Sequence, residues 1–142
     1  MLLAHCIKLA PTAAQSDYFA RAAGTARRVW NWAVGECLRR SAQGLPLRIF
    51  ELKKHFNAIK YTDPAWLDED GSPWLRGIHR DAHSQPFSNL IKAYARYFEQ
   101  LRNGVRAYRP HFKKKGRCRE AFYVANDKFR LEGKSVVLPK IG

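Results

Sequence analysis

A long stretch with helical periodicity, residues 12–40, limits how this chain can fold. At its start Thr12 and Gln15 form a capping-box pattern, in which a hydroxyl and an amide satisfy free backbone N–H groups. The apolar residues that follow recur at three- and four-residue steps, as one face of a helix requires. They are Tyr18, Phe19, Ala22, Ala26, Val29, Trp30, Ala33, Cys37 and Leu38. We therefore predict one helix that is ended by the glycine and proline of residues 41–46.

Helical spacing returns twice in the next part of the chain. Residues 47–59 predict a shorter helix, and apolar residues from Pro86 onward predict a third, with Ser84 as its N-cap. Between them, residues 62–74 contain two prolines, a glycine and four acids, which favours a loop or a pair of turns. We expect its two tryptophans, Trp66 and Trp74, to anchor it.

The two ends of the chain have strand-like patterns instead. Residues 2–9 are mostly apolar and are followed by a proline, which favours one β-strand. After residue 104 the period changes to two, and Gly133 lies between two short apolar runs as in a β-hairpin. The predicted fold is therefore α+β, with a helical part inserted between the first strand and the rest of its sheet.

The charge favours a polyanionic partner. The 26 lysines and arginines outnumber the 12 acids, which gives a net charge of +14. Residues 101–142 hold 12 of these cations and only 3 of the acids. Nucleic acid fits this charge, because docked cations release condensed counterions. An anionic membrane is disfavoured, since the basic run lacks a broad apolar helical face.

Seven of the lysines and arginines lie in one run, residues 106–119, which contains no acid. A solvated surface loop is the ordinary interpretation of such a run. Against it stand the absence of balancing acids and the interleaved aromatic residues, which can stack on unpaired bases. We predict nucleic-acid contacts from Arg106, Arg109, Lys113, Lys114, Lys115, Arg117, Arg119 and Tyr123.

Polar and aromatic residues on the helices extend this predicted interface. Trp30 falls on the apolar face and is assigned to the core, whereas Trp32 lies off it. Trp32 either packs in a second layer or forms a stacking surface beside Arg28. Ser84, Gln85 and Asn89 open the third helix, where they either cap it or reach phosphates and base edges.

The sequence gives little support for a metal site, a disulfide or a membrane span. His79 and His83 have a spacing that could place two imidazoles on one helical face, but no third ligand is indicated, so a surface or capping pair is preferred to a metal site. The three cysteines are far apart and predict reduced thiols. No run of about 18 apolar residues indicates a membrane span. We expect a soluble, cytoplasmic protein.

Four segments of the chain occur in a characteristic order: KLAPTAAQ, ARRVWNWAVGECL, SQPFSNLIKAYARYFE and YRPHFKKKGRCREAFYVANDKFRLEGKSVVLPKIG. In this order they resemble the N-terminal half of TnpB (OrfB-type) proteins of insertion sequences. The resemblance spans nearly the whole chain and is strongest at FKKKG. The family comprises compact relatives of type V CRISPR effectors.

This resemblance implies a wedge-like antiparallel β-barrel or sheet made of residues 1–11 and 106–142, with a helix-turn-helix-like recognition domain inserted over residues 12–105. It also implies guide RNA and target double-stranded DNA as partners, with base pairing supplying specificity. Lys113, Lys114, Lys115 and Arg117 match the family's basic motif. The proline of HSQPF departs from the family pattern, which weakens the placement of Ser84, Gln85 and Asn89 at the adjacent-motif duplex.

The family's RuvC-like nuclease and four-cysteine zinc module would both lie downstream of Gly142. We therefore expect this chain to need no cofactor and not to cut DNA alone, with Mg²⁺ and Zn²⁺ belonging to the downstream domains or to a separate nuclease half. Two alternatives stay open. A stand-alone helix-turn-helix regulator would bind duplex DNA without RNA, and an intact enzyme would show metal-dependent nuclease activity.

Overall fold

The computed structural model describes residues 2–141, which form three α-helices, two short 3₁₀ turns and one β-hairpin. The helices are α1 (Ala13–Ala42), α2 (Ile49–Ile59) and α3 (Arg80–Arg102). The 3₁₀ turns are Pro64–Trp66 and Trp74–Gly77, and the strands are β1 (Arg130–Glu132) and β2 (Ser135–Val137).

The long first helix is confirmed, together with its caps. The Thr12 hydroxyl accepts the Gln15 N–H at 3.2 Å, and the Gln15 side-chain oxygen accepts the Thr12 N–H at 2.9 Å. These two bonds satisfy backbone donors that lack an intrahelical partner. The chain turns after the helix at Gly44, whose φ of +68° is in the left-handed region that glycine adopts without a Cβ clash.

The start of α3 was predicted wrongly. The helix begins six residues before Pro86, because the Nδ1 of His79 caps it by accepting the Asp81 N–H at 3.3 Å. The His79 N–H in turn donates to the hydroxyl of Tyr18 on α1 at 3.0 Å. Ser84 is therefore an interior residue rather than an N-cap, and Pro86 lies inside the helix, where it provides no N–H for the carbonyl four residues earlier.

The hydrophobic core lies where the three helices meet. Phe56 of α2 is at its centre, fully buried, with the rings of Phe87 at 5.5 Å and Trp66 at 5.0 Å. Trp74 packs partly buried on Trp66 at 6.1 Å. The two 3₁₀ turns are thus anchored to the core by their tryptophans, as predicted.

The β part is smaller than predicted. Residues 2–9 form no strand, and the sheet has two strands rather than forming a closed barrel. The strands pair antiparallel with Leu131 opposite Val136 and Gly133 in the turn, which confirms the hairpin. A strand needs a hydrogen-bonding neighbour, and residues 2–9 have none among the described residues, so Leu2 stays fully exposed. The predicted α+β class holds, but the predicted barrel does not.

The buried His83 should make the fold sensitive to acid. Burial, followed by the charge of nearby Lys60, lowers the pKa of His83 to about 4, and its Nδ1 has no hydrogen-bond partner in the described structure. The unfolded chain binds this proton near pH 6.5. The free energy of unfolding should therefore fall by up to about 3 kcal/mol as the pH drops from about 6.5 to 4. Urea titrations at several pH values would measure this fall.

A His83→Leu variant is the control for this acid effect. It removes the titrating group, so the free energy of unfolding should vary less between pH 6.5 and pH 4.5 than in the wild type. An unchanged pH dependence in the variant would show that His83 does not cause it.

Candidate nucleic-acid interface

The basic segment is held on α1 by two neighbouring side chains of that helix. The indole N–H of Trp30 donates to the His111 carbonyl at 2.9 Å. The Asn31 side chain makes two bonds to Lys113, donating to its carbonyl at 2.9 Å and accepting its N–H at 2.8 Å. The ammonium of Lys113 lies 4.2 Å from the centroid of the Trp30 indole. Long-range bonds, rather than a β-ladder, thus fix this segment.

Two further contacts fix the chain after the basic run. Arg27 of α1 donates to both carboxylate oxygens of Glu120 at 2.7 Å. Asp81, at the start of α3, accepts the N–H of Ala125 at 2.9 Å. The turn at residues 114–119 is therefore held at both ends.

The cations on this turn point into solvent. Lys114, Lys115 and Arg117 are exposed. None of the ion pairs formed between residues 2 and 141 involves them. Their charges are therefore available to an external anion.

Five of the predicted site residues meet in one groove. A cavity of about 310 Å³ lies between α1, α3 and the basic segment. Its lining includes the predicted residues Gln85, Asn89, Lys113, Arg119 and Tyr123. The groove combines amides from a helix with cations and an aromatic ring, which is the set of groups that nucleic-acid interfaces use.

The two amides of the groove are already oriented. The Gln85 Nε2 donates to the Asn89 Oδ1 at 3.2 Å, one helical turn away. This bond leaves the Gln85 carbonyl oxygen and the Asn89 NH₂ group free. Together they offer one acceptor and one donor, a combination that can hydrogen-bond to the edge of a base.

The predicted helix residues outside the groove have other neighbours. Arg28 donates to the Ala65 carbonyl and lies over the rings of Trp66 and Trp74, at 4.9 and 5.3 Å. Trp32 packs on the core, with its ring centroid 5.6 Å from that of Phe56, which agrees with the second-layer alternative. A nucleic-acid role for these two residues, and for the half-buried Ser84, stays a prediction.

The arginines before the basic turn lie over tyrosine rings. Arg106 is 5.2 Å from the centroid of Tyr108, and Arg109 is 5.7 Å from that of Tyr97. Both arginines are exposed. These distances are within the range of cation–π contacts, so the two charges are paired with aromatic faces rather than with acids.

Sequence reasoning missed three residues that build the groove: Arg27, Trp30 and Asn31. Arg27 and Trp30 line it, and Asn31 holds Lys113 in it. A signal was present in the Asn31 position, since asparagine is a poor helix-interior residue unless its side chain has a partner. The partner itself lies 82 residues away and has no local signature.

Replacing Asn31 by alanine should loosen the basic segment. The variant loses both bonds to the Lys113 backbone, each of which contributes about 1 kcal/mol. We expect amide hydrogen exchange at Lys113 to accelerate about tenfold, with weaker nucleic-acid binding. Asn126→Ala, at an exposed asparagine, is the control and should leave the exchange of Lys113 unchanged. Equal exchange in both variants would refute the holding role of Asn31.

Two features are absent from the part of the chain that the structure describes: a cluster of metal-ligating side chains and a membrane-spanning helix. Residues 2–141 contain no cluster of three or more metal-ligating side chains. Within the same range, no helix has the length and apolar character that crossing a bilayer requires.

The structure thus has a helical lobe with a cationic groove between α1, α3 and the basic segment. Residues 1–45, which comprise the N-terminal segment, α1 and the start of the turn after it, match the model of the OrfB IS605 helix-turn-helix domain. Over residues 1–45 this match supports an N-terminal domain of the TnpB/OrfB insertion-sequence type, in agreement with the resemblance of the motifs. No curated protein matches the chain.

Proposed function

We propose that this chain is the nucleic-acid-binding module of a TnpB-like RNA-guided DNA endonuclease, and that it does not cleave DNA by itself. Its ligands are a guide RNA and the target DNA duplex at its adjacent motif. The observation that carries the proposal is the groove on α1. In this groove α1 lies against the basic segment. Helix α1 lies in the region that matches an insertion-sequence helix-turn-helix domain, and its Asn31 bonds to Lys113, 82 residues downstream.

The basic turn and the groove suit two different tasks. Lys114, Lys115 and Arg117 are exposed cations and suit the sugar–phosphate backbone, which sets position but carries no sequence information. Gln85 and Asn89 present a donor and an acceptor and suit a base edge of the DNA duplex. Base pairing with the guide would supply the remaining specificity.

The wider organisation is part of the same proposal. Residues 1–11 and 106–142 form a wedge-like unit, and residues 12–105 form the recognition domain inserted in it. Cleavage is assigned to a separate or downstream nuclease half with its own Mg²⁺ and Zn²⁺, and the complex works in the cytoplasm.

Binding measurements at two salt concentrations test this function. The wild-type chain is titrated with its guide RNA, which is structured, and separately with duplex DNA, each at about 50 and about 200 mM salt. If about six phosphates are contacted, the affinity should fall about a thousandfold over this range. Absent binding, or affinity that does not change with salt, would contradict the proposal.

The helix-turn-helix match favours one alternative, a stand-alone regulator that reads duplex DNA. It predicts tight sequence-specific binding without RNA by a dimer on spaced half-sites. Sedimentation of the protein–duplex complex distinguishes the two functions. A monomer whose DNA binding depends on RNA supports the endonuclease module, and an RNA-independent dimer supports the regulator.

A further inference from the structure

A second cavity adjoins the groove on the far side of Trp30 and Lys113. It encloses about 290 Å³ between α3 and the start of the basic segment. Trp30 and Lys113 line both cavities, so the groove and the second cavity are adjacent. Other lining residues of the second cavity are Arg96, Gln100, Tyr108 and Arg109.

The second cavity presents mainly hydrogen-bond donors. Arg96, Arg109 and Lys113 are cations, and no carboxylate belongs to the lining within the described chain. The side-chain oxygen of Gln100 is already in a hydrogen bond, since it accepts the Tyr108 N–H at 3.2 Å. Its NH₂ group is left as a donor with a fixed orientation. A ligand for this cavity must therefore supply acceptors.

Tyr108 adds an aromatic surface to these donors. Its side chain is 62% exposed, so the ring does not serve the core. Its backbone is held by Gln100, and Arg106 lies over its ring at 5.2 Å. An exposed, positioned aromatic ring among cations is the arrangement on which proteins stack unpaired bases.

We propose that this cavity binds one unpaired nucleotide whose base is a pyrimidine with two carbonyl groups, uracil or thymine. Its base stacks on Tyr108, a base carbonyl accepts from the Gln100 amide, and Arg96 and Arg109 hold the phosphate. This inference rests on the proposed function, because the nucleotide belongs to a strand that continues into the groove.

The donor pattern sets the base preference. Uracil and thymine offer two carbonyl acceptors to the Gln100 NH₂ group. The usual two-bond contact of glutamine with adenine also needs the glutamine side-chain oxygen to accept from the adenine amino group, and in Gln100 that oxygen already accepts the Tyr108 N–H. The volume is at the lower end for a small-molecule site, which suits a single nucleotide rather than a base pair.

Fluorescence anisotropy with labelled oligonucleotides of about six residues tests the inference. The probes are oligouridylate, oligothymidylate and oligoadenylate. The wild type should bind at least one of the first two more tightly than oligoadenylate. Tyr108→Ala should weaken that binding about tenfold, because stacking on one aromatic ring contributes about 1–3 kcal/mol.

Gln100→Glu is the sharper variant. It keeps the acceptor for the Tyr108 N–H but replaces the amide donor of Gln100 with a negative charge, so binding of the preferred probe should fall at least tenfold. Gln15→Glu is the matched control. It adds the same charge at the start of α1, where glutamate preserves the capping box, and should lower binding about twofold at most.

The outcomes separate this inference from the function on which it rests. Tighter binding of oligouridylate identifies an RNA nucleotide, and tighter binding of oligothymidylate identifies a DNA nucleotide. Equal losses in Gln100→Glu and Gln15→Glu, or no preference over oligoadenylate, overturn the inference. If structured RNA and duplex DNA still bind, only the inference has failed, whereas no binding to any nucleic acid refutes both proposals.

Discussion

Replacing Lys114, Lys115 and Arg117 together with alanine is expected to weaken binding to structured RNA on the order of a hundredfold at about 0.1 M salt. The three side chains are exposed and form no ion pair within residues 2–141, so each is free to neutralise a phosphate. Each lost phosphate contact removes about one unit from the slope of log affinity against log salt. Filter-binding titrations at several salt concentrations should therefore give a slope reduced by about three.

The control for this variant removes the same charge elsewhere. Arg39, Arg48 and Lys54 are exposed on the C-terminal part of α1 and at α2. Their triple alanine variant has the same net charge, yet it should bind within about threefold of the wild type, since distant exposed charges are screened. Equal losses in the two variants would mean that net charge alone, and not the basic turn, drives binding.

Replacing Phe56 with alanine is expected to lower the free energy of unfolding by about 3–5 kcal/mol. The ring is fully buried and lies within 6.2 Å of the rings of Trp32, Trp66, His83 and Phe87. Its removal leaves a cavity where α1, α2 and α3 meet. Because small domains are stable by only about 5–15 kcal/mol, this is a large part of the total. Urea unfolding followed by tryptophan fluorescence measures the loss.

Phe50 provides the matched control on the same helix. Its side chain is 62% exposed, so Phe50→Ala should change the free energy of unfolding by about 0.5 kcal/mol or less. If the two alanine variants were equally destabilised, the core would not be centred on Phe56.

The helices could be predicted where their signals are local. The Thr12 capping box, the glycine turn after α1 and the apolar faces of α1 and α2 all depend on residues within a few positions of each other. The start of α3 was predicted wrongly because it depends partly on a contact that is distant in the sequence. His79 is an uncommon cap, and its N–H is held by Tyr18, 61 residues earlier.

The lack of a strand at residues 2–9 and the geometry of the groove could not be predicted from local sequence patterns, because both depend on residues that are distant in the sequence. Residues 2–9 have the apolar character of a strand, but no neighbouring strand pairs with them in the described structure. The basic character of the groove was predictable from charge, and five of its residues were predicted. Its geometry was not, because Arg27 and Asn31 act through bonds to residues more than 80 positions away.

Lysine footprinting tests most directly whether the basic turn is the nucleic-acid interface. The free protein and its complex with structured RNA are acetylated briefly, and the modification at each lysine is read by mass spectrometry. If the basic turn binds the RNA, the RNA should protect Lys114 and Lys115, while Lys54 on α2 keeps its reactivity. Protection of Lys54 with Lys114 and Lys115 still reactive would show that the basic turn is not the interface.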